Sequence, residues 1–184
     1  MKFNRKNKNR IQFKEEEVLI LSDINPSENK ELNIVRTFNA PKNLLYQAFT
    51  NPDYLGRWWG NYYCERSVCQ LDPQVGGVVN IKMIMRGGKE VLLKGEYHEL
   101  IENERIVFTT GPVDKNTNES ELVTLNTVLL EEIDGKTKLN LNVKFIKAPE
   151  GVAEFAVQGM FKGWPDSLKK LEEFIETGYS NVST

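Results

Sequence analysis

The sequence has one histidine and two cysteines among its 184 residues, which leaves few side chains for metal chemistry. Because a catalytic zinc site needs three protein ligands at usable spacing, we expect no metal site. The Gly-x-Ser-x-Gly turn of α/β hydrolases is absent, as are the glycine-rich fingerprints that bind dinucleotides and nucleotide phosphates. The sequence therefore indicates neither a hydrolase of that type nor a nucleotide-dependent enzyme, and we expect no cofactor.

Long apolar runs are also missing. None approaches the roughly 18 residues that a transmembrane helix needs. The basic start of the chain is followed by one short apolar run, Val18–Leu21, which is too short for a secretory signal. We expect a cytoplasmic protein without a membrane span.

Charge of one sign is not in excess, since the formal net charge is -2 and the pI is about 5.6. A nucleic-acid binder needs a dominant basic surface, so we expect no nucleic-acid partner. Residues 1–29 are polar and charged, which predicts a solvated, partly disordered extension. We place one folded domain at residues 30–178 and a tail at residues 179–184.

The two cysteines are Cys64 and Cys69. If this segment is extended, their spacing points them to opposite faces, so we expect neither a shared metal site nor a disulfide. Two reduced structural thiols are in keeping with a cytosolic protein.

The folded domain is predicted to begin with a strand and a short helix. Apolar and polar residues alternate over Glu31–Phe38, which is typical of a strand. Asn39 is positioned to cap a helix that has Pro41 in its first turn. Apolar residues at three-to-four-residue spacing then predict a helix that ends near Thr50.

A second short helix is predicted to carry two adjacent tryptophans. Asn51-Pro52-Asp53 indicates a turn or a fresh helix start, because a proline disfavours helical dihedrals in the residue before it. Trp58 and Trp59 follow. Adjacent residues differ by about 100° around a helix, so we expect one indole in the core and the other at its edge.

After Gly60 the pattern changes to strands separated by glycine turns. Gly76-Gly77, Gly87-Gly88 and Asp134-Gly135 can supply the positive φ values that tight hairpins require, and direct hairpins join antiparallel strands. The six predicted strands are Ser67–Leu71, Val78–Met85, Val91–Ile101, Arg105–Thr110, Glu121–Glu132 and Lys136–Phe145.

The last two of these strands alternate apolar with polar residues, which predicts a sheet with one apolar face that needs a cover. The residues assigned to that face are Val123, Leu125, Thr127 and Leu129 on one strand and Leu139, Leu141, Val143 and Phe145 on the other.

A long C-terminal helix is predicted to supply the cover. Apolar residues follow a helical period from Phe155 to Ile175. Pro165 interrupts the period, so we expect a kink or a restarted helix beside Trp164, and Gly178 is a candidate C-cap. A curved antiparallel sheet closed by one long helix leaves a space between them, which is a natural ligand site.

Several short motifs accompany this order of elements. They are Ala40-Pro41, Ala48-Phe49-Thr50-Asn51-Pro52, Arg57-Trp58-Trp59-Gly60, Gly95-Glu96-Tyr97 with Glu99, Arg105-Ile106-Val107-Phe108-Thr109, and Gly163-Trp164 with Leu168 and Leu171. Together they resemble the START-like superfamily, also called the helix-grip or Bet v 1-like fold, and within it the activator of Hsp90 ATPase homologue 1-like (AHSA1-like) family. The resemblance implies an α+β fold in which a curved antiparallel sheet of six or seven strands wraps around a long C-terminal helix, with two short helices after the first strand.

The resemblance implies a range of activities. Members of the superfamily bind lipids, sterols, hormones or polyketides, and a few are cyclases or hydrolases. The eukaryotic co-chaperones of the family carry an additional N-terminal domain that helps to engage Hsp90. About 30 residues precede the first predicted strand here, too few for that domain, so we do not expect direct Hsp90 activation.

Our first hypothesis is a carrier or sensor, without catalysis, of a small hydrophobic ligand that is lipid-like or aromatic and lies between the long helix and the sheet. It rests on an excess of large apolar residues without a convergent polar set. The candidate ligand-binding residues are Trp58, Trp59, Met83, Tyr97, Phe108, Met160, Phe161 and Trp164. Methionine and tryptophan also fill plain cores, so ordinary core packing is the alternative.

The second hypothesis is an enzyme of the cyclase or hydratase kind, in which Tyr97, His98 or Glu96 transfers a proton on a bound carbonyl compound. It requires at least two of these groups to face the cavity. A His98 on the outer face of the sheet is the alternative. Glu96 and Glu99 fall on opposite faces unless a bulge intervenes, and Arg105 is a candidate salt-bridge partner of Glu99.

The third hypothesis is a protein-binding module that acts on a chaperone or a client. It requires an exposed apolar patch of several hundred Å² outside the pocket. An exposed edge strand would also permit a homodimer, although nothing in the sequence requires one.

Overall fold

The computed structural model of the chain describes residues 31–149 and 153–177, with side chains in the last helix from residue 158 onward. The predicted extension 1–29, the candidate C-cap Gly178 and the tail 179–184 lie outside the described residues. The elements in chain order are β1 (Glu31–Phe38), α1 (Lys42–Thr50), α2 (Pro52–Trp58), β2 (Cys64–Leu71), β3 (Val78–Met85), β4 (Glu90–Ile101), β5 (Arg105–Pro112), β6 (Val123–Ile133), β7 (Lys136–Lys147) and α3 (Ala153–Thr177).

The seven strands form one antiparallel sheet in the order β1-β7-β6-β5-β4-β3-β2. From β2 to β7 each strand pairs with the next one in the chain. β1 and β2 lie at opposite edges, so α1 and α2 connect one edge of the sheet to the other. The sheet curls into a half-barrel that accompanies three helices, which confirms the predicted α+β helix-grip fold.

The start of α1 differs from the prediction. The helix begins at Lys42, and Pro41 with extended dihedrals occupies the N-cap position without a side-chain hydrogen bond. The carbonyl of Pro41 accepts hydrogen bonds from the amides of Leu44 and Leu45. Asn39 lies two residues before the N-cap, so the prediction that it caps the helix is wrong.

The fresh helix start at Asn51 is confirmed. The Asn51 side chain accepts a hydrogen bond from the amide of Asp53 at 2.9 Å, and Pro52 occupies the first helical position. A proline costs nothing there because the first amides of a helix have no partner within the helix. α2 therefore begins directly after α1 and carries Trp58 at its last residue.

Five of the six predicted turn residues have the positive φ values that the sequence predicts, and Gly77 is the exception. Gly76, Gly87 and Gly88 have φ values of 81°, 85° and 81°, and Asp134 and Gly135 have values of 52° and 75°. Two successive positive φ values match a tight hairpin turn between β6 and β7.

The buried face of β6 is the opposite of the predicted one. Asn126 and Val128 are completely buried and Leu130 is 4% exposed, whereas Leu125 and Leu129 are only half-buried. Asn126 pairs with Phe108 of β5 and Val143 of β7, which both face the core. The assignment of Val123, Leu125, Thr127 and Leu129 to the inner face is therefore wrong. On β7 the prediction is confirmed, since Leu139, Leu141 and Val143 are buried.

A β-bulge in β2 changes the faces of the two cysteines. The register shifts between Cys64 and Arg66, so that Cys64 pairs with Met85 and Cys69 pairs with Ile81. Met85 and Ile81 are four residues apart on β3, so their side chains lie on the same face of the sheet. The cysteines therefore lie on the same face, contrary to the prediction. Both thiols are free, as predicted, because four strand residues separate them by about 13 Å.

α3 is one continuous helix with Pro165 inside it, so no restarted helix is present. Met160, Trp164, Leu168, Leu171 and Phe174 recur at helical spacing and are buried. They join the side chains of α1, α2 and the inner face of the sheet in one apolar core. The predicted role of the C-terminal helix as the cover of the sheet is thereby confirmed.

Candidate functional site

Trp59, Phe108 and Trp164 form a contact chain from the end of α2 across to β5 and α3, and we name these three residues the aromatic wall. The ring centroid of Trp59 lies 4.9 Å from that of Trp164 and 6.3 Å from that of Phe108. Tilted and edge-on ring contacts of this kind are favourable because the positive ring edge meets the negative ring face. The aromatic wall therefore connects both helical layers to the sheet.

All eight predicted ligand-binding residues belong to or pack against the same core cluster. Met83 and Phe161 are half-buried, while Trp59, Met160 and Trp164 each keep 8% of their surface exposed. These five residues are the more exposed members of the eight. The other three, Trp58, Tyr97 and Phe108, are at most 3% exposed.

Trp58 and Trp59 have different roles, as their adjacency predicts. Trp58 is fully buried, and its indole nitrogen donates a hydrogen bond to the carbonyl of Ala48 at 3.0 Å. In a continuing helix that carbonyl would accept from residue 52, but Pro52 has no N–H. Trp58 thus satisfies the end of α1, and Trp59 is the tryptophan at the edge of the core.

Tyr97 completes the end of α1 in the same way. Its hydroxyl donates to the carbonyl of Phe49 at 2.9 Å, and the residue is 1% exposed. Burial raises the pKa of Tyr97, and the charges of Tyr46 and Cys69 add to that increase. A phenol that is buried, neutral and already donating its proton to a backbone carbonyl has no proton to offer to a substrate in this conformation.

The C-terminal half of α3 is tied to the loop after Trp59. The amide of Gly60 donates to the Ser167 hydroxyl at 3.2 Å, and the amide of Tyr62 donates to the Asp166 carboxylate at 3.0 Å. The Lys170 ammonium donates to the carbonyls of Asn61 and Cys64. These bonds fix the helix from residue 166 onward against the segment that carries Trp59.

The N-terminal side of Trp164 is built from different residues. Pro165 has no N–H, so the Phe161 carbonyl lacks its usual helical partner. Gly159 has no heavy atom within 4 Å of the position a Cβ would take, and at Gly163 the nearest is 4.0 Å away. The part of α3 that carries Met160 and Phe161 therefore meets fewer backbone constraints than the part after Pro165.

A polar cluster that the sequence prediction missed lies on the inner face beside Phe108. It consists of Thr110 on β5 with Thr124 and Asn126 on β6, and we name it the inner polar cluster. Asn126 is completely buried, Thr110 is 6% exposed and Thr124 is half-buried. Assigning the wrong face to β6 hid Asn126, although a lone amide between apolar strand residues was the available signal.

The titratable residues of β4 lie mostly outside the core. A bulge between Tyr97 and Glu99 places Glu96, His98 and Glu99 on the outer face of the sheet. His98 Nδ1 lies 3.6 Å from Glu96 Oε1, and its Nε2 lies 3.3 Å from Thr109 Oγ1. Only Tyr97 of the three candidate proton-transfer groups faces inward, so the enzyme prediction that at least two would do so is wrong.

The predicted salt bridge across the hairpin is present. Arg105 Nε lies 2.8 Å from Glu99 Oε2, with both side chains about two-fifths exposed. An exposed pair of this kind contributes little to stability, about 0–1 kcal/mol. The salt bridge connects β4 and β5 on the outer face of the sheet and is not part of the inner face.

Two depressions of about 240 and 390 Å³ lie on the outer side of the sheet. The first is lined by Lys82, Glu90 and the loop after β5, and the second by polar and apolar residues of β1, β6 and β7. Neither lies between α3 and the sheet. Among the described residues no group of three potential metal ligands comes together, and none of the described helices is long and apolar enough to cross a membrane.

A protein-family comparison places this architecture among known sequences. The family model for "Activator of Hsp90 ATPase homolog 1-like protein" matches residues 39–176, a span that contains every strand except β1, the helices α1 and α2, and all but the last residue of α3. No curated protein matches the chain.

Solved structures share the fold at low sequence identity. A protein from Arthrobacter aurescens has 21% identity and a TM-score of 0.71, covering 83% of this chain and 90% of its own. A protein from Chromobacterium violaceum has 24% identity and a TM-score of 0.65, covering 80% and 97%. An AHSA1 protein from Silicibacter pomeroyi has 19% identity and a TM-score of 0.64, covering 81% and 99%. At these identities the likeness establishes the fold and leaves the activity to be argued from the site.

Proposed function

The chain belongs to the activator of Hsp90 ATPase homolog 1-like family, and on that premise we propose that it binds a small hydrophobic ligand between α3 and the inner face of the sheet, as a carrier or sensor without catalysis. The observation that carries the proposal is the edge of the core cluster, where Trp59, Met83, Met160, Phe161 and Trp164 keep part of their surface exposed. Thioether and indole groups suit an apolar ligand of irregular shape.

Only six of the eight candidate residues are proposed to contact the ligand. Trp58 and Tyr97 hold the carbonyls at the end of α1, so we assign them to the support of the site. Trp59, Phe108 and Trp164 then form the wall against which a ligand lies, and the flexible side chains of Met83, Met160 and Phe161 make room for it.

Access is proposed to come from the half of α3 before Pro165. The half after it is fixed by Asp166, Ser167 and Lys170, whereas Gly159, Gly163 and the missing bond at Phe161 leave the first half easier to displace. In the conformation described here the side chains of the cluster occupy the space, so binding must be coupled to a shift of this segment.

The test is a titration of the full chain with Nile red, a neutral apolar dye whose emission rises in apolar surroundings. We expect saturable binding that Met160→Trp weakens at least tenfold, because the larger ring fills the space at the wall. Val35→Ala, which changes a 50% exposed side chain on the outer face, is the matched control and should leave the affinity unchanged. Saturable binding that both variants leave unaltered, or no binding at all, would reject the proposed site.

The alternative of a chaperone- or client-binding module has less support. The exposed large apolar residues lie on separate elements, for example Val35 on β1, Ile101 on β4 and Ile146 on β7. Tyr62 and Tyr63 contact each other edge-on and are more than 60% exposed. Two rings are a small surface for a docking face of several hundred Å².

A further inference from the structure

The inner polar cluster has hydrogen-bonding capacity that its own members do not use. Asn126 Nδ2 donates to the Phe108 carbonyl at 3.1 Å and to Thr110 Oγ1 at 3.2 Å. Both amide hydrogens are therefore used. The reverse orientation of the amide would place Oδ1 against the Phe108 carbonyl oxygen, so the network fixes which atom is the oxygen.

The hydroxyl hydrogens can be assigned in the same way. Thr110 Oγ1 accepts from Asn126, and its hydrogen points to Thr124 Oγ1 at 3.1 Å. Thr124 has one hydrogen for two acceptors, the Thr110 carbonyl at 3.0 Å and Asn126 Oδ1 at 3.4 Å. The shorter bond to the carbonyl is favoured, which leaves Asn126 Oδ1 with at most a weak donor among the described residues.

The unused groups of the cluster are thus acceptors. A carboxamide oxygen has two lone pairs, and Thr124 Oγ1 keeps one after it accepts from Thr110. A buried acceptor without a good donor is unfavourable, so an incoming donor would be stabilised here more than at a hydrated surface. A carboxylate has no hydrogen to donate to these acceptors, and their partial negative charge would repel it.

The cluster adjoins the proposed ligand site. Phe108 of the aromatic wall is the register partner of Asn126, and its carbonyl accepts a hydrogen bond from the Asn126 side-chain amide. Exposure increases from Asn126 through Thr110 to Thr124, and Thr124 pairs with Phe145, which is half-buried too. A ligand that lies against Phe108 can therefore reach Thr124 and the Asn126 oxygen from the more open side.

We propose that the ligand is an amphiphile whose hydroxyl or N–H hydrogen is shared between Asn126 Oδ1 and Thr124 Oγ1 while its apolar body lies against the aromatic wall. This inference rests on the proposed function and specifies its ligand class. It favours alcohols and neutral amides over fatty-acid anions and over hydrocarbons or ethers, which have no donor.

The experiment compares three probes of equal chain length, decan-1-ol, decyl methyl ether and decanoate at pH 8, as competitors of Nile red on the full chain. We expect decan-1-ol to bind at least about fivefold more tightly than the ether, the gain typical of one net hydrogen bond, and decanoate to bind most weakly. Thr124→Val should reduce the preference for the alcohol, because Asn126 Oδ1 alone is left to accept, and should leave the affinity for the ether unchanged. It keeps both bonds of Asn126 Nδ2, so it is the variant least prone to unfold.

Asn126→Leu is the second variant and should also reduce the preference, with circular dichroism and the melting temperature reporting its fold. Equal affinities of alcohol and ether for the native protein would overturn the polar anchor while the apolar site stands. A preference that neither Thr124→Val nor Asn126→Leu reduces would overturn it too. If none of the three probes displaces the dye, the proposed ligand site itself is rejected.

Discussion

The indole of Trp59 meets the indole of Trp164 nearly edge-on, with the ring centroids 4.9 Å apart and the planes at 76°. This contact joins Trp59, the C-cap residue of α2, to the residue that precedes Pro165 in α3. The hydrogen bonds of Ser167 and Lys170 to the loop after Trp59 lie directly beside it. The pair therefore marks the boundary between the fixed half of α3 and the half that we propose to move.

The coupling of these two rings is the first prediction. Replacing Trp59 and Trp164 with leucine, singly and together, should give a coupling free energy of about 0.5–1.5 kcal/mol, the range of aromatic pairs beyond their buried area. Urea unfolding of the four proteins measures it. Tyr62→Leu combined with Trp164→Leu is the control pair and should be additive. Additivity for the Trp59 pair would contradict a direct contact.

Trp58 should be far more sensitive to substitution than Trp59. Trp58→Phe removes buried volume and leaves the Ala48 carbonyl without a donor, since Pro52 cannot replace it. We expect a loss of about 2–4 kcal/mol in the free energy of unfolding. The Trp59 indole makes no hydrogen bond among the described residues, so Trp59→Phe should lower the free energy of unfolding by only about 1 kcal/mol. Equal losses in denaturant unfolding would contradict the separate roles of the two indoles.

Two glycine substitutions should change stability in opposite directions. A Cβ at Gly95 would lie 1.8 Å from the Thr109 carbonyl oxygen, a backbone atom that cannot rotate away, so Gly95→Ala should cost about 3 kcal/mol or more. Gly159 lies in α3 with nothing near its Cβ position, so Gly159→Ala should add about 0.5–1 kcal/mol. Thermal unfolding of both variants checks the pair, and a destabilised Gly159→Ala protein would contradict the open surroundings of that residue.

Alkaline pH should destabilise the fold in part through Cys69. Burial, and to a smaller extent the charge of Cys64, raise the pKa of the Cys69 thiol to about 12. The folded protein therefore holds a proton that the unfolded chain releases above a pKa of about 8.5. The stability that this raised pKa contributes is complete below about pH 8.5 and is lost as the pH rises toward 12. Because the thiol is only partly buried, we expect the free energy of unfolding to fall by about 0.5 kcal/mol per pH unit more steeply than in Cys69→Ala. Parallel pH profiles would contradict this.

Much of the fold was predictable because its signals are local. The turn residues Gly87-Gly88 and Asp134-Gly135 fix hairpins through their own dihedrals, and Asn51-Pro52 starts α2 through a side-chain cap. Helical spacing in the C-terminal segment predicted α3 as the cover of the sheet. That the candidate residues share one core cluster follows from these elements, and their role as ligand contacts stays a prediction.

The faces of several strand residues were harder to predict, for a different reason. Three register shifts, at Cys64/Arg66, at Tyr97/Glu99 and at Val123/Thr124, each change which side chains face the core beyond that point. A one-residue bulge reverses the alternation of a strand, and it is set by pairing with a neighbour that is distant in the sequence. For this reason the cysteines share a face, and Glu96 and Glu99 both point outward. The wrong face of β6 has another cause, because residues 124–130 alternate without a break and both faces carry apolar side chains.

The sequence by itself determined the elements, their order, the antiparallel hairpins and the family, because periodicity, turn dihedrals and short motifs are properties of adjacent residues. Only the tertiary structure decided the faces, and with them the chemistry of the interior. In the folded structure Trp58 and Tyr97 donate hydrogen bonds to the last carbonyls of α1. His98 lies on the outer face of the sheet, and the amide of Asn126 lies beside the aromatic wall. Those outcomes depend on which atoms meet across strands and helices, and burial makes each unpaired polar atom costly enough to fix its partner.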